Sequence, residues 1–346
     1  MPDPFITLIL PIRNESAYIM RGLHALIEQD YPAERIETLI VDGMSTDGTR
    51  EIIREFVAQG TRISIHLIDN PAGIVPTGLN LALRQAKGDI VIRVDGHCII
   101  APDYVRKCVE HIQRDGVDAV GGSMKTIGET HIAKSIAIGM SSPFGVGNSA
   151  FRTLSKKTMM VDTVPFPAFT RQIIERAGLY DEELVRNQDD EYNYRIRELG
   201  GKILLAGDVH SSYFSRGSLK SLWQQYFQYG FWKVRVLQKH PLQMSLRQFV
   251  PPLFVLTLFA SVLLFLLPPF YFIFPIIFLL YLIFNLSTSL SNAAKYGWRY
   301  LLFLPVIFAI LHLSYGLGFL TGLFKFWNRW RDKVGKVPEW SNETVG

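Results

Sequence analysis

Short apolar runs alternate with amphipathic stretches through the first hundred residues of the chain. Four apolar runs predict strands and three periodic stretches between them predict helices: strands at 5–11, 38–42, 63–68 and 90–99, helices at 17–29, 50–59 and 78–86. Strands that alternate with helices are typical of βαβ units and of a mostly parallel sheet. The pattern therefore predicts an α/β fold for this part of the chain.

The pattern changes near residue 248, where charged side chains give way to a long apolar block. Residues 249–290 and 300–324 carry no charge, and they contain three apolar runs, at 249–267, 269–290 and 300–324. Each run is about long enough to cross the roughly 30 Å hydrocarbon core of a bilayer as a helix. A buried core helix is the alternative for each run, but the density of Leu, Phe and Ile favours membrane spans.

The composition thus divides the chain into four parts: an α/β domain at 1–235, an interfacial linker at 236–248, membrane helices at 249–324 and a basic tail at 325–346. Lys295 in the loop between the second and third runs places that loop on the cytosolic side with the α/β domain. Three complete spans would then export the basic tail, against the positive-inside tendency. Either the tail is an exception, or one run is re-entrant or interfacial.

Composition narrows the class of protein further. The net charge of +5 is modest and gives no reason to expect a nucleic acid partner, whereas basic residues on both sides of the apolar block suit anionic lipid head groups. Cys98 and Cys108 form neither a disulfide framework nor a CxxC pair, so we expect a reducing compartment. The N-terminal apolar run is too short for a secretory signal, and no dinucleotide fingerprint or P-loop occurs. We therefore expect the α/β domain to be cytosolic.

Residue types suited to chemistry follow three of the predicted strands. Residues 13–15 (Arg-Asn-Glu) follow the first strand, Asp42 ends the second, and Asp95-Gly96-His97 ends the fourth. The carboxyl ends of parallel strands form the sheet edge at which ligands bind. Carboxylates gathered there repel one another unless a cation or hydrogen-bond donors offset the charge. Asp and His both bind divalent ions, although a lone D-x-H is a weak signal and a strand-to-turn cap is the alternative.

Sequence blocks in a fixed order resemble the family 2 glycosyltransferases, which have the GT-A fold. The blocks are PIRNE at 11–15, VDGMSTDGT at 41–49, GLNLALRQAKGDI at 78–90, VDGH at 94–97, GNSAFR at 147–152, PAFTRQIIERAGLYDEEL at 167–184 and QDDEYNYRI at 188–196. The resemblance covers roughly residues 5–235. The forms VDG, DGH and QDDEYNYR resemble the branch that includes the succinoglycan-type exopolysaccharide glycosyltransferases, whose members also carry a C-terminal membrane segment.

The resemblance implies a nucleotide diphosphate sugar as donor, first of all a UDP-sugar. It places Asp42 against the base and ribose, with Pro11, Arg13 and Glu15 forming the neighbouring pocket wall and Asp95 near the diphosphate. A carboxylate can accept hydrogen bonds from uracil N–H or ribose hydroxyl groups. The alternative for Asp42 is a cap of its own loop.

The resemblance also implies a divalent cation held on the diphosphate by Asp95 and His97. The commoner family motif is D-x-D, and His97 departs from it at the third position. An imidazole suits Mn²⁺ better than Mg²⁺, which is harder and prefers oxygen ligands. Mn²⁺ is therefore the first expectation and Mg²⁺ the second.

Asp189 is implied as the catalytic base. Family members carry Glu-Asp six residues before an arginine, and Gln188-Asp189 stands at that spacing before Arg195, with Gln188 replacing the glutamate. Asp190 is the alternative base, because neighbouring residues on a helix point about 100° apart and only one can face the sugar. A third interpretation is an acidic helix N-terminus that balances the macrodipole. The implied reaction is one in-line displacement that inverts the anomeric carbon.

The stretch after the base bears on the acceptor. Processive family members carry QxxRW there, whereas this chain has Gln225, Gln228 and Tyr229, so transfer of one sugar per encounter is favoured. An amphipathic interfacial helix is a compatible interpretation of the same stretch. The adjacent apolar block implies a membrane-embedded acceptor, most simply a lipid-linked saccharide. Two alternatives stay open: a processive polysaccharide synthase, and a non-catalytic nucleotide-sugar-binding partner in a membrane assembly.

Overall fold

The computed structural model describes residues 3–147, 149–153 and 157–340. Asn148 of the GNSAFR block and residues 341–346 of the expected tail lie outside this range. The chain forms two compact units. The first contains residues 1–125, 154–213 and 334–346, and the second contains residues 126–153 and 214–333.

One sheet of nine strands runs through the described part of the chain. The strands are β1 (Ile6–Ile12), β2 (Ile36–Asp42), β3 (Ser64–Asp69), β4 (Ile90–Arg93), β5 (Cys98–Ile100), β6 (Ala119–Ile127), β7 (Met159–Met160), β8 (Ala168–Thr170) and β9 (Ile203–Phe214). Their order is β3-β2-β1-β4-β8-β6-β9-β5, with β7 on β9. The four strands β3, β2, β1 and β4 are parallel, and β8 pairs antiparallel with β4. The predicted α/β fold with a parallel central sheet is confirmed.

Helices connect the strands in the first unit and make up most of the second. They are α1 (Ile19–Ile27), α2 (Thr49–Ala58), α3 (Val75–Gln85), α4 (Tyr104–Asp115), α5 (His131–Met140), α6 (Pro143–Val146), α7 (Ala150–Thr153), α8 (Arg171–Ala177), α9 (Gln188–Glu198), α10 (Leu219–Lys239), α11 (Val250–Phe265), α12 (Ile273–Tyr296) and α13 (Leu304–Lys325). The first unit contains α1 to α4, α8 and α9. The second contains α5 to α7 and α10 to α13.

The register of the central strands brings their carboxyl ends to one edge. Strands β1, β2 and β4 are rich in Ile, Val and Leu and are almost entirely buried, as strands covered on both faces must be. Ile12 pairs with Asp42, and Asp42 pairs with Asp69. The fourth predicted strand is two shorter strands, because β5 leaves β4 to pair with β9. The intervening turn, 94–97, therefore lies just beyond the end of β4.

Three apolar helices in the second unit are long enough to cross a membrane. They cover Leu246–Phe265, Phe270–Tyr296 and Leu304–Lys325, with mean hydropathies of 2.0, 2.1 and 1.8. They coincide closely with the three apolar runs of the sequence. Length and composition thus indicate membrane association.

Candidate active site

Two loops at the carboxyl edge of the sheet are locked together by hydrogen bonds. The Asn14 backbone N–H donates to Ser45 Oγ (2.8 Å), and Thr46 N–H donates to Asn14 Oδ1 (2.9 Å). Glu15 N–H donates to Thr49 Oγ1 (2.9 Å). These bonds join the segments after β1 and β2, so the predicted PIRNE and VDGMSTDGT blocks form one local structure.

Asp42 is fully buried at the end of β2 and caps the loop that follows. Its carboxylate accepts hydrogen bonds from Ser45 N–H (3.0 Å), Ser45 Oγ (2.5 Å) and Arg50 Nη1 (2.7 Å). Arg50 also contacts Asp69 Oδ1 (2.6 Å) and so neutralises two carboxylates at neighbouring strand ends. The structure therefore contains the capping arrangement that sequence reasoning gave as the alternative. A donor contact by Asp42 stays a prediction.

The other residues of the expected pocket wall occupy different positions along the same edge. Pro11 lies in β1 opposite Val41 of β2. Arg13 is exposed and donates from Nη1 to the Gly73 carbonyl (3.1 Å). Glu15 turns toward the end of β4, where its carboxylate contacts His97. Their contacts with a nucleotide stay predictions.

The Asp95-Gly96-His97 turn requires a glycine at its centre. A Cβ on Gly96 would lie 2.8 Å from Glu15 Cγ and 2.9 Å from Ile12 Cγ2, closer than ordinary van der Waals contact. This space is filled by the Glu15 side chain, whose Oε1 is 2.8 Å from His97 Nδ1. The glycine thus allows a carboxylate from the β1 loop to orient the imidazole beyond β4.

Arg93, the last residue of β4, joins the two sequence clusters that the mechanism needs. Its Nε and Nη2 donate to Asp95 Oδ1 (3.2 and 3.0 Å), and its Nη1 forms an ion pair with Asp189. The Arg93 side chain is only 8% exposed. Burial tends to lower the pKa of Arg93, but the Asp95 carboxylate, with smaller contributions from Tyr180 and Cys98, leaves the pKa raised. Arg93 is therefore a permanent charge that holds Asp95 and Asp189 at one place.

Electrostatics keep Asp95 ionised. Burial by itself raises the pKa of this carboxyl, but the nearby Arg93 guanidinium and the His97 imidazole lower it by more, so the pKa lies below its ordinary value. An ionised carboxylate is the form that binds a cation. Asp95 Oδ1 is occupied by Arg93, which leaves Oδ2 as the oxygen suited to a metal ion.

The donor set at this turn fits a divalent cation with two protein ligands. Contact of Glu15 with His97 Nδ1 fixes the ring and presents Nε2, and a carboxylate on the second ring nitrogen is common for metal-binding histidines. Among the described residues no group of three or more His, Cys, Asp or Glu side chains forms a metal cluster. A cation bound by Asp95 and His97 would therefore need its remaining ligands from the substrate and water, and diphosphate oxygens are suitable.

Helix α9 begins at the proposed base and carries three acidic residues in its first turn. Glu191 is buried and forms a bidentate ion pair with Arg195 (2.6 and 2.9 Å), which removes it from consideration as a base. Arg195 also donates to the carbonyls of Ala177 and Leu179 (2.6 and 2.9 Å), so it fastens the segment before α9 to the helix. The Asp189 side chain is 43% exposed and remains accessible to a substrate.

Three residues near the site, none of them glycine, have left-handed backbone conformations. Asn14 (φ 55°) and Met44 (φ 58°) lie in the loops after β1 and β2, and Asn187 (φ 62°) precedes α9 directly. Such conformations cost energy in residues other than glycine, and they concentrate where the surrounding structure fixes a functional geometry. Here the interlocked loops and the Arg93 contact with Asp189 supply that constraint.

The residues predicted for the acceptor side belong to the second unit. Gln225, Gln228 and Tyr229 all lie on α10, and Gln225 Nε2 donates to the Tyr229 hydroxyl (2.9 Å). The predicted helical character of this stretch is present. The role of the three residues toward an acceptor stays a prediction.

Comparison with known proteins assigns the family. The family model "Glycosyl transferase family 2" matches residues 7–178. Succinoglycan biosynthesis protein ExoA of Rhizobium meliloti (strain 1021) is 31% identical over 249 residues, which cover 70% of this chain and 73% of that protein. The chain belongs to glycosyltransferase family 2. The resemblance seen in the sequence blocks is thus confirmed, and the protein is a glycosyltransferase.

A second relative and a solved structure extend the comparison. The dolichyl N-acetyl-alpha-D-glucosaminyl phosphate 3-beta-D-2,3-diacetamido-2,3-dideoxy-beta-D-glucuronosyltransferase of Methanococcus voltae is 30% identical over 241 residues, covering 68% of this chain and 74% of that protein. The mannosyltransferase PcManGT from Pyrobaculum calidifontis, solved with GDP-Man and Mn²⁺, superposes with a TM-score of 0.59 over 92% of this chain and 87% of that one. At 18% identity this likeness shows a shared fold, and the GT-A prediction is confirmed.

Proposed function

We propose that this family 2 glycosyltransferase moves a sugar from a nucleoside diphosphate sugar, first of all a UDP-sugar, to a membrane-embedded, lipid-linked saccharide acceptor. The anomeric configuration inverts in a single displacement. An acceptor hydroxyl oxygen forms the new bond to the anomeric carbon, its proton passes to Asp189, and the bond to the diphosphate oxygen breaks. General-base help of this kind contributes about 10²- to 10⁴-fold to rate.

One observation carries the proposal. Arg93 contacts both Asp95 and Asp189, so the predicted diphosphate end and the predicted base lie within reach of one guanidinium. A sugar between them would have its leaving group on one side and its proton acceptor on the other. The same contact favours Asp189 over Asp190 as the base, because Asp189 is the residue of the pair that shares Arg93 with Asp95.

Asp95 and His97 are the residues we assign to a divalent cation, with Mn²⁺ preferred over Mg²⁺. When bound, the cation acts as a Lewis acid that stabilises charge developing on the leaving diphosphate. The protein's own contribution is positional. Glu15 fixes the imidazole, Arg93 fixes the Asp95 carboxylate, and Gly96 leaves room for the Glu15 side chain at the end of β4.

The acceptor class rests on the apolar helices and on the relatives. Three long apolar helices indicate that the enzyme works at a membrane, where an embedded acceptor and the enzyme meet in two dimensions. The Methanococcus voltae relative is named for transfer to a dolichyl-linked sugar, and the Rhizobium meliloti relative for succinoglycan biosynthesis. A lipid-linked saccharide in the synthesis of a surface or exported polysaccharide agrees with both names.

The substitution Asp189→Asn tests the base. The variant keeps the size and hydrogen-bonding capacity of the side chain but removes its ability to accept a proton at neutral pH. We expect turnover to fall by about 10²- to 10⁴-fold while binding of the nucleotide sugar in the presence of Mn²⁺ changes little. Turnover is measured as nucleoside diphosphate release with a polyprenyl diphosphate-linked saccharide as acceptor, and binding by calorimetry with the purified protein.

Asp190→Asn is the matched control, since it makes the same chemical change one residue along α9. It should retain most of the turnover. Wild-type turnover in Asp189→Asn together with loss of turnover in Asp190→Asn would move the base to Asp190. Wild-type turnover in both variants would remove this acidic turn from the mechanism.

A further inference from the structure

The segment after the last apolar helix returns to the first unit. Lys336 N–H donates to Asp181 Oδ1 (2.7 Å), and the Lys336 carbonyl accepts from Glu182 N–H (3.0 Å). Asp181 is 1% exposed, so the returning segment is anchored to a buried side chain of the first unit. Residues 334–340 accordingly belong to the same compact unit as the parallel strands β1 to β4. The chain therefore leaves the first unit before the apolar helices and rejoins it after them.

A chain that starts from and returns to one folded unit ends on the side of the bilayer where it began. We infer that the apolar block crosses the membrane an even number of times, that α11 and α12 form the inserted hairpin, and that α13 does not cross. This inference rests on membrane association but not on which sugar is transferred. Of the two alternatives that the sequence left open, an exceptional tail after three complete spans or one run that does not cross, it selects the second.

The packing of α13 identifies it as the helix that does not cross. Within its most apolar window 44% of residues are buried, against 17% for the α11 candidate and 6% for the α12 candidate. Its first half packs against α5 and α6, where a Cβ on Gly139 would lie 2.6 Å from Ile307 Cγ2 and where His312 Nε2 contacts the Phe144 carbonyl (2.7 Å). A helix covered by protein needs its apolar residues for that contact rather than for lipid.

The second half of α13 packs on α10 so closely that the backbones of the two helices are in contact. A Cβ on Gly318 would lie 2.0 Å from the Phe227 carbonyl oxygen, and one on Gly322 would lie 2.5 Å from that of Phe231. Further along, Gln238 Nε2 donates to the Phe326 carbonyl (2.7 Å). Residue numbers rise together on the two helices, so α10 and α13 run parallel. Either both cross the bilayer or neither does.

Helix α10 cannot span a bilayer at reasonable cost. It carries four basic residues and is absent from the candidate spans of the described chain: Lys220, Lys233, Arg235 and Lys239. Arg235 is fully buried and donates to Gln238 Oε1 (2.6 Å) and to the Arg329 carbonyl (3.3 Å). Charged side chains at the bilayer centre are energetically unfavourable, and four on one helix make a crossing costly. Both parallel helices are therefore expected at the membrane surface.

Helices α11 and α12 have the properties of the inserted part. Many of their large apolar side chains are exposed, for example Leu263 (68%) and Phe284 (63%), and no charge occurs in 249–290. At 1.5 Å per residue, the 20 helical residues of Leu246–Phe265 and the 27 of Phe270–Tyr296 are about 30 and 40 Å long, enough to enter and leave the hydrocarbon core.

The arrangement also removes the conflict with the positive-inside tendency. If α13 does not cross, the basic residues at and after its end stay on the same side of the membrane as Lys295, in the last turn of α12, and Arg299, between α12 and α13. These basic residues are Lys325, Arg329, Arg331, Lys333 and Lys336. Basic residues near the ends of membrane segments favour the cytoplasmic side. All basic residues that flank the hairpin then lie on one side of the membrane.

Single-cysteine labelling tests the inference. Glu339 in the returning segment, Lys295 in the last turn of α12 and Arg54 on α2 are exposed, and each is changed separately to Cys. The natural Cys98 and Cys108 are buried and serve as the unlabelled background. A membrane-impermeant maleimide is applied to intact cells of a bacterial expression host and to inverted membrane vesicles from them.

We expect all three cysteines to react in the same preparation and to be protected in the other. Three complete spans predict that Glu339→Cys reacts in the opposite preparation from Arg54→Cys and Lys295→Cys, and that result would overturn the inference. Because the comparison is between positions, it does not depend on donor, acceptor or turnover. Val334→Cys, at a side chain that is 88% exposed, provides a second tail position if Glu339→Cys is poorly expressed.

Discussion

Replacement of Arg93 by glutamine should weaken both the fold and the reaction, because one guanidinium holds two carboxylates together. Arg93 donates to Asp95 and pairs with Asp189, and its side chain is 8% exposed. Removing one partner of a buried ion pair costs about 3–5 kcal/mol, since a buried charge is left uncompensated. The Asp95 and Asp189 side chains are 24% and 43% exposed, so water offsets part of this loss.

We therefore expect Arg93→Gln to lower the free energy of unfolding by about 2–3 kcal/mol, less than the fully buried case. For a unit of this size that corresponds to a decrease in Tm of roughly 5–10 °C. Turnover should fall by about 100-fold or more, because a base displaced by an ångström loses that much. Thermal unfolding in detergent and nucleoside diphosphate release measure the two effects.

Arg106→Gln is the matched control for stability. Arg106 also joins two carboxylates, Asp30 (2.9 Å) and Glu110 (2.7 Å), but its side chain is 41% exposed. Exposed pairs contribute less than about 1 kcal/mol, so this variant should unfold within about 3 °C of the wild type. Its turnover should be unchanged, since no part of this cluster lies at the carboxyl edge of the parallel strands.

Arg93→Lys separates the effect of the positive charge from the effect of contacting two carboxylates at once. Lysine keeps one positive charge but lacks the planar fork that contacts two carboxylates at once. We expect part of the stability to return while turnover stays low. Wild-type turnover in Arg93→Gln would refute the role of Arg93 in positioning the base, and a wild-type Tm in addition would refute the reasoning about the buried bridge.

Two further predictions follow from the first unit. Gly96→Ala should reduce turnover by about 10-fold or more, because its Cβ would displace Glu15 from the imidazole, whereas Gly217→Ala, which has open space around it, should be neutral in the same assay. His111→Gln should lower the free energy of unfolding at neutral pH. It should also make that free energy less sensitive to acid pH. Burial raises the pKa of Asp208, but the hydrogen bond with His111 (2.7 Å), together with a backbone hydrogen bond and the charges of His111 and Lys107, leaves the pKa below its ordinary value. That contribution is present above about pH 4 and lost as pH falls through the depressed pKa, as thermal unfolding at several pH values would detect.

Local pattern was sufficient to predict the parts of the fold that depend on neighbouring residues. The buried strands that end at Ile12, Asp42 and Arg93 are continuous apolar runs, so the carboxyl edge of the sheet could be predicted from sequence. The break of the fourth predicted strand could not. Cys98 to Ile100 leave β4 because they pair with β9, which lies far along the chain and imposes its own register.

The contacts that organise the candidate site are long-range, and this explains why sequence reasoning missed Arg93. In the run IVIRVDG a single arginine is an interruption of an apolar pattern, and its meaning depends on Asp189 lying beside it. Glu15 and His97 were predicted for different tasks, and only the fold shows that one orients the other. A buried arginine two residues before a strand-end carboxylate is nevertheless a usable signal, because such a charge requires partners.

Apolar composition likewise could not separate α13 from α11 and α12, because lipid and protein neighbours select the same residue types. The distinction depends on the backbone contacts of Gly318 and Gly322 with α10 and on the return of the tail to the first unit. Hydropathy therefore predicts which segments avoid water. It does not predict which of them a protein surface already covers.

The returning tail makes the C-terminal block more than an anchor. The segment 178–187 precedes the proposed base and is held at three points. Asn80 bonds the Tyr180 backbone (2.7 and 2.9 Å), Arg195 bonds the carbonyls of Ala177 and Leu179 at its start, and Lys336 bonds both Asp181 and Glu182. Deleting residues 249–346 would remove the membrane hairpin and the third of these contacts at once. Lost activity after such a truncation would therefore not distinguish membrane binding from a displaced base, and a deletion that keeps 334–340 joined to the first unit is needed to separate them.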